Sequence, residues 1–154
     1  MSGDLLSDLE HDHVPLSRAV GDLRALLNDE TPELRARFAA RIREVRDLVI
    51  DHFGKEEQGL FPFLAARAPA LAHEVRALAS AHDNICGGAV RLAVLAEKDG
   101  AGFHAALPLV RSVFERFEAA YTEHAKVEVA LLRRAQAALT ADEVRQVAEL
   151  TREL

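Results

Sequence analysis

Four apolar stripes at helical spacing run through this chain, and each is interrupted by polar residues at a single place. One stripe reads Phe38, Ile42, Val45, Val49, His52, Glu56, Gly59 and Phe63; another reads Val110, Phe114, Phe117, Tyr121, His124, Glu128, Leu131 and Ala135. In both, a histidine is followed four residues later by a glutamate. The other two, Leu6, Leu9, His13, Leu16, Val20, Leu23, Leu27 and Val75, Leu78, His82, Ile85, Ala89, Leu92, Ala96, are each interrupted by one histidine. Spacings of three and four mark the buried face of a helix. The pattern therefore sends four histidines and two carboxylates into one core, where unsatisfied polar groups cost roughly several kcal/mol each.

The rest of the chain supports a helical fold. Ala, Leu, Arg and Glu dominate, and Gly and Pro fall at long intervals, which favours long helices over strands. Helix A is expected over about Asp4 to Leu27. Thr31 reads as an N-cap with Pro32 at the first helical position, opening a helix B that runs to near Gly59. Pro62 and Pro69 bracket a break around Phe61-Pro62-Phe63-Leu64. Helix C is expected from about Ala70 to Lys98, stopping at Asp99-Gly100, and helix D from near Pro108 to about Ala138. Thr140-Ala141-Asp142-Glu143 is a capping-box pattern that opens a short last helix. The expectation is an all-α, antiparallel up-down four-helix bundle over about 5–138 with a C-terminal fifth helix over about 141–153, forming one domain across 1–154. That fifth helix either caps the bundle or packs Val144, Val147, Leu150 and Leu154 on a second copy, so the chain is expected to be a monomer or a homodimer.

Other function classes are disfavoured. The 19 Lys and Arg against 25 Asp and Glu leave a net charge of −6, which repels polyanions and argues against nucleic acid as a partner. The first residues are acidic where a signal peptide needs basic ones, and no apolar run approaches the roughly 20 residues of a membrane span. The chain is accordingly read as soluble and cytoplasmic, without a membrane partner. A single cysteine, Cys86, excludes an internal disulfide framework.

Height along the bundle is an independent test of the polar layer. In an antiparallel pair, two residues lie level when the turn between them sits near their sequence midpoint. Taking about 54 and about 126 for the two His-Glu pairs, the midpoints with His13 and His82 fall near 33, 68 and 104. These lie beside Thr31-Pro32, at Ala68-Pro69 and at Gly102-Phe103-His104, so the six polar residues are expected to share one layer.

Four neutral imidazoles and two carboxylates form a donor set for one or two borderline-to-hard transition metals, with iron or manganese favoured by the mixed N,O set over softer alternatives and zinc less expected. Residues i and i+4 lie about 6 Å apart on one helix face. One helix can thus place an imidazole on one ion and a carboxylate between two. With Glu56 and Glu128 bridging, His13 and His52 on one ion and His82 and His124 on the other, each ion stays short of six protein donors, leaving positions for oxo, hydroxide, O2 or peroxide. The layer has weak twofold character: His52 and Glu56 recur 72 residues on as His124 and Glu128.

Several nearby residues carry two readings. His11 and His13 compete for the helix A position; the stripe favours His13, because His11 falls with Arg18 and Asp22 on a solvated face. Glu57 lies about 100° around the helix from Glu56 and reads as a residue behind the ligands or on the surface. Tyr121 either donates a hydrogen bond to a bound oxygen species or is a core aromatic. Cys86 is either a small buried residue or a soft extra ligand or redox handle. Gly87-Gly88 permits close packing or a channel. His73 and His104 read as surface residues.

The segment His52-Phe53-Gly54-Lys55-Glu56-Glu57-Gln58-Gly59-Leu60-Phe61-Pro62, together with His82 and His124-xxx-Glu128, resembles the hemerythrin-like (HHE, cation-binding) domains, non-haem di-iron four-helix bundles. The resemblance covers about residues 5–138. It implies that His13, His52, Glu56, His82, His124 and Glu128 bind two iron ions, oxo- or hydroxo-bridged. Oxygen carriers of this family place two histidines four apart on helix C and a carboxylate five after the helix D histidine. Here Cys86 and Val129 occupy those places, with Glu128 at plus four, so long-lived O2 carriage is less expected than redox turnover or sensing. The pattern also differs from the ferritin-type Glu-xx-His motif. The expected ligand is O2, peroxide or nitric oxide, bound for oxygen or iron sensing or buffering. The alternative is a di-iron enzyme that removes hydrogen peroxide or nitric oxide, and whether the protein is an enzyme at all stays open at this point.

Overall fold

A computed structural model describes residues 5–153, with side chains from residue 13 onward. Six α-helices follow one another: α1 (Leu5–Asn28), α2 (Leu34–Lys55), α3 (Phe61–Arg67), α4 (Ala72–Ala96), α5 (Gly100–Ala138) and α6 (Ala141–Glu153). A π-helical turn, Glu56–Leu60, joins α2 to α3, and a single 3-10 turn, Pro69–Leu71, leads into α4. Helix α1 packs on α2 and α5, and α4 packs on the same two helices, closing an all-α bundle. Among the described residues there is no strand, and no helix is long and apolar enough to cross a membrane.

Three boundaries differ from the sequence expectation, each for a physical reason. Thr31 is not the N-cap of α2: Thr31-Pro32-Glu33 form a turn in which Leu34 N–H donates to the Thr31 carbonyl at 3.1 Å, and the helix starts at Leu34. The break expected around Phe61-Pro62-Phe63-Leu64 is helical through Arg67. Pro62 is tolerated there because it sits in the first turn of α3, straight after the wide π turn, where a missing N–H is least costly. Helix α5 starts at Gly100 rather than near Pro108, because the Asp99 carboxylate accepts from Gly102 N–H at 2.6 Å and caps it. Asp99-Gly100 is thus a helix start and not only a stop. Pro108 lies inside the helix on its exposed side, as does His104, whose carbonyl water can satisfy once the proline N–H is missing. The third turn therefore falls at 97–99, not at Gly102-Phe103-His104. The two added turns bring Phe103 into the core against Phe38, with ring centroids 5.9 Å apart.

The π turn also shifts the core register. Phe61 N–H donates to the Glu56 carbonyl five residues back, so the turn holds one extra residue. From the turn's last residue onward the buried stripe runs through Leu60 and Leu64, both fully buried, whereas the expected Phe63 is only half-buried.

The core consists of two apolar clusters. One runs from Leu16 and Phe38 through Val49, Ile85 and Phe103 to Tyr121; the other joins Leu60, Leu64, Leu78, Leu131, Val144 and Val147. Helix α6 belongs to the second cluster. Val144 and Val147 are buried within the chain while Leu150 stays exposed, so the last helix packs on the bundle as a cap; Leu154 lies outside the described residues. The capping box forms as read: Glu143 N–H donates to Thr140 Oγ1 at 3.2 Å, and Thr140 N–H donates to the Glu143 carboxylate at 2.9 Å. Thr140→Ala is expected to cost about 1 kcal/mol, a fall in Tm of about 2–4 °C that calorimetry can read.

Candidate metal centre

The structure brings all six sequence-singled residues together. Helices α1, α2, α4 and α5 supply His13, His52, His82 and His124; Glu56 opens the π turn, and Glu128 stands one turn beyond His124. His13 Nε2 lies 3.0 Å from His52 Nε2 and 3.2 Å from Glu128 Oε2. His52 Nε2 is 3.1 Å from Glu56 Oε1, and His82 Nε2 is 2.8 Å from Glu56 Oε2. His124 Nε2 reaches Glu128 Oε2 at 3.6 Å and Glu56 Oε2 at 3.9 Å. Two groups result, His13, His52, Glu56 and Glu128 in one and Glu56, His82 and His124 in the other, each with one donor atom per residue within 4.8 Å of the rest. Glu56 belongs to both. All but His13 are buried.

Most buried polar atoms of this layer lack hydrogen-bond partners. Among the described residues, the buried side-chain nitrogens and oxygens with no hydrogen bond are His52 Nδ1, both Glu56 oxygens, His82 Nε2, both His124 ring nitrogens and both Glu128 oxygens. All eight belong to these five residues. His82 Nε2 and Glu56 Oε2 approach to 2.8 Å without the alignment of a hydrogen bond. Buried polar groups are normally satisfied, and lone pairs converging from several directions are what a cation satisfies. Without metal, protons take part of that role. Burial alone would lower the pKa of His52, but Glu128 and Glu56 outweigh it and push it up to about 10. Burial raises the Glu56 carboxyl, yet the surrounding imidazoles of His124, His52 and His82 hold it well below the ordinary carboxylate range.

The hemerythrin HHE cation binding domain family matches residues 4–135. The chain belongs to that family. Comparison with curated proteins and with solved structures returned no match. Membership of the HHE family implies a metal-binding site with His and Glu ligands, and the buried His/Glu cluster of this domain has the donor chemistry for one.

Residues around the layer of this HHE domain resolve several open readings. His82 Nδ1–H donates to the Glu57 carboxylate at 2.7 Å, so Glu57 stands behind a candidate ligand although its own side chain is half exposed. Tyr121 is buried, and its hydroxyl meets Ser17 Oγ at 3.0 Å. Cys86 joins neither donor group; it is half-buried against the core, where burial and then the charges of Glu57 and Asp83 push its thiol pKa up. Gly88 serves close packing, since a Cβ there would come within 3.3 Å of the Phe117 side chain. His73 and His104 are exposed, as expected. His11, the competitor of His13, lies outside the described side chains. Phe53 was not singled out by the stripes, yet its ring stacks on His82 at 3.7 Å and 6° and meets His124 edge-on at 5.0 Å. Its one sequence signal is its place directly after His52.

Proposed function

We propose that this layer holds two iron ions, His13 and His52 on one and His82 and His124 on the other with Glu56 and Glu128 shared, and that the protein binds O2 or a related small oxidant there to sense or buffer oxygen or iron. The observation that carries the reading is the set of eight buried, unpartnered donor atoms on His52, Glu56, His82 and His124 with Glu128. Bound iron would supply one-electron chemistry and open coordination positions for a small ligand. The chain's own residues do the rest. Phe53 and Phe61 lie nearly parallel to the His82 ring, at 3.7 and 5.5 Å, fixing its plane and keeping water from it. The two apolar clusters insulate the layer from the ends of the bundle, and Glu56 keeps the charge that balances cations because imidazoles surround it.

A second reading, removal of hydrogen peroxide or nitric oxide, is favoured by one feature. Cys86 joins neither donor group, so six residues serve two ions, fewer than two six-coordinate ions need. Anaerobic ferrous protein exposed to O2, then to peroxide or nitric oxide, separates the readings. An optical change with O2 that reverses on deoxygenation supports binding. Many peroxides or nitric oxides consumed per protein, at a rate well above free iron, supports the enzyme. No response to any of the three contradicts both.

A further inference from the structure

We propose that Glu57 is a positioning residue that makes the two metal positions unequal, so that the position served by His82 is the tighter and fills first. The inference rests on the two-metal reading above and adds to it a role for a residue outside the donor set.

An ionised carboxylate can only accept a hydrogen bond. The 2.7 Å contact with Glu57 Oε1 therefore places a proton of His82 on Nδ1, so that in the neutral ring a metal needs, Nε2 is the lone-pair atom, 2.8 Å from Glu56 Oε2 on the inner side of the layer. Phe53, stacked at 3.7 Å and 6°, fixes the plane of the same ring. His82 is thus held in tautomer, in plane and in direction before any ion arrives. His52 and His124 are not: the Nδ1 atom of each is buried with no hydrogen-bond partner. A carboxylate behind an imidazole raises its basicity as a ligand and removes the cost of choosing its tautomer, and loss of such a partner typically weakens metal binding by about 10- to 100-fold. Glu57 can do this at little cost to itself, because its side chain is 51% exposed and keeps its hydration. It reaches His82 from the π turn, one residue after Glu56, so a single widened turn supplies both the shared carboxylate and the residue that orients His82.

The test is anaerobic titration of the metal-free protein with cobalt(II), followed by calorimetry and by the visible bands of the bound ion. Two successive binding events are expected for the unaltered chain, and His82→Ala identifies the tighter one by abolishing it. Glu57→Ala should weaken that event by about 10- to 100-fold and leave the other unchanged. Glu57→Gln, whose amide oxygen still accepts from Nδ1–H, should recover much of the loss and restore the cobalt spectrum, a rescue that a merely structural role would not give. Glu57→Ala with both events intact, or with both weakened alike, overturns the proposal while leaving the two-metal reading standing. Absence of any cobalt binding by the unaltered chain overturns both.

Discussion

Ferrous iron added anaerobically to the metal-free protein is expected to raise its thermal midpoint by roughly 10 °C or more. An ion that binds only the folded chain, with free metal at about a thousand times its Kd, contributes about 4 kcal/mol. In a domain of this size about 1 kcal/mol moves Tm by about 2–4 °C, so even one filled position gives about 8–16 °C. The donor groups predict how substitutions divide that gain. Glu56 belongs to both groups, whereas His13 belongs to one. Glu56→Gln keeps the shape of the side chain and removes its charge, and it should erase most of the gain. His13→Ala should leave about half. Scanning calorimetry with and without iron reads both; a Glu56→Gln protein that keeps the full gain would contradict a carboxylate shared between two ions.

The metal-free protein should lose stability as the pH rises from about 6.5 toward 10. The pKa of His52 is 6.5 ordinarily and about 10 when folded, because Glu128 and Glu56 outweigh the opposing effect of burial. A raised pKa means the folded state binds the proton more tightly, so the stabilisation is fully present below about 6.5 and is lost as the pH climbs through the folded value. Its size is on the order of a few kcal/mol. Glu56 acts in the opposite sense. Its pKa lies well below the ordinary 4.5, so its contribution is present above about 4.5 and is lost on further acidification. The metal-free chain should therefore be most stable between these limits, in denaturant melts collected across the pH range. Bound metal needs neutral imidazoles, so the stability added by iron should grow from pH 6.5 upward. A gain that shrinks in that direction would contradict a site in which metal replaces the proton on His52.

Much of this architecture was legible in the sequence because its signals are local or periodic. The stripe through Phe38, Ile42, Val45, Val49 and His52 repeats the helical period, and the polar interruptions in four such stripes already assembled His13, His52, Glu56, His82, His124 and Glu128 in one layer. Thr140 and Glu143 announced α6 through two reciprocal bonds within four residues. Two of the misreadings involved a residue type with two uses. Asp99 suits a turn as well as a cap, and a proline such as Pro108 can end a helix or lie within one on an exposed side where water reaches the freed carbonyl. The π turn at Glu56–Leu60 has no periodic signature of its own, so Leu60 and Leu64 replaced Phe63 in the core only once the turn was seen. Glu57 illustrates the limit from the other side: helical geometry put it off the stripe, and only the approach of α4 gave it His82 as a partner.

The most direct measurement is the metal content of protein expressed with ample iron and purified without a metal-affinity tag, by mass spectrometry, beside its absorption spectrum before and after dithionite. The account predicts two irons per chain and a near-ultraviolet charge-transfer band that bleaches on reduction. No stoichiometric metal, or zinc alone, would contradict it.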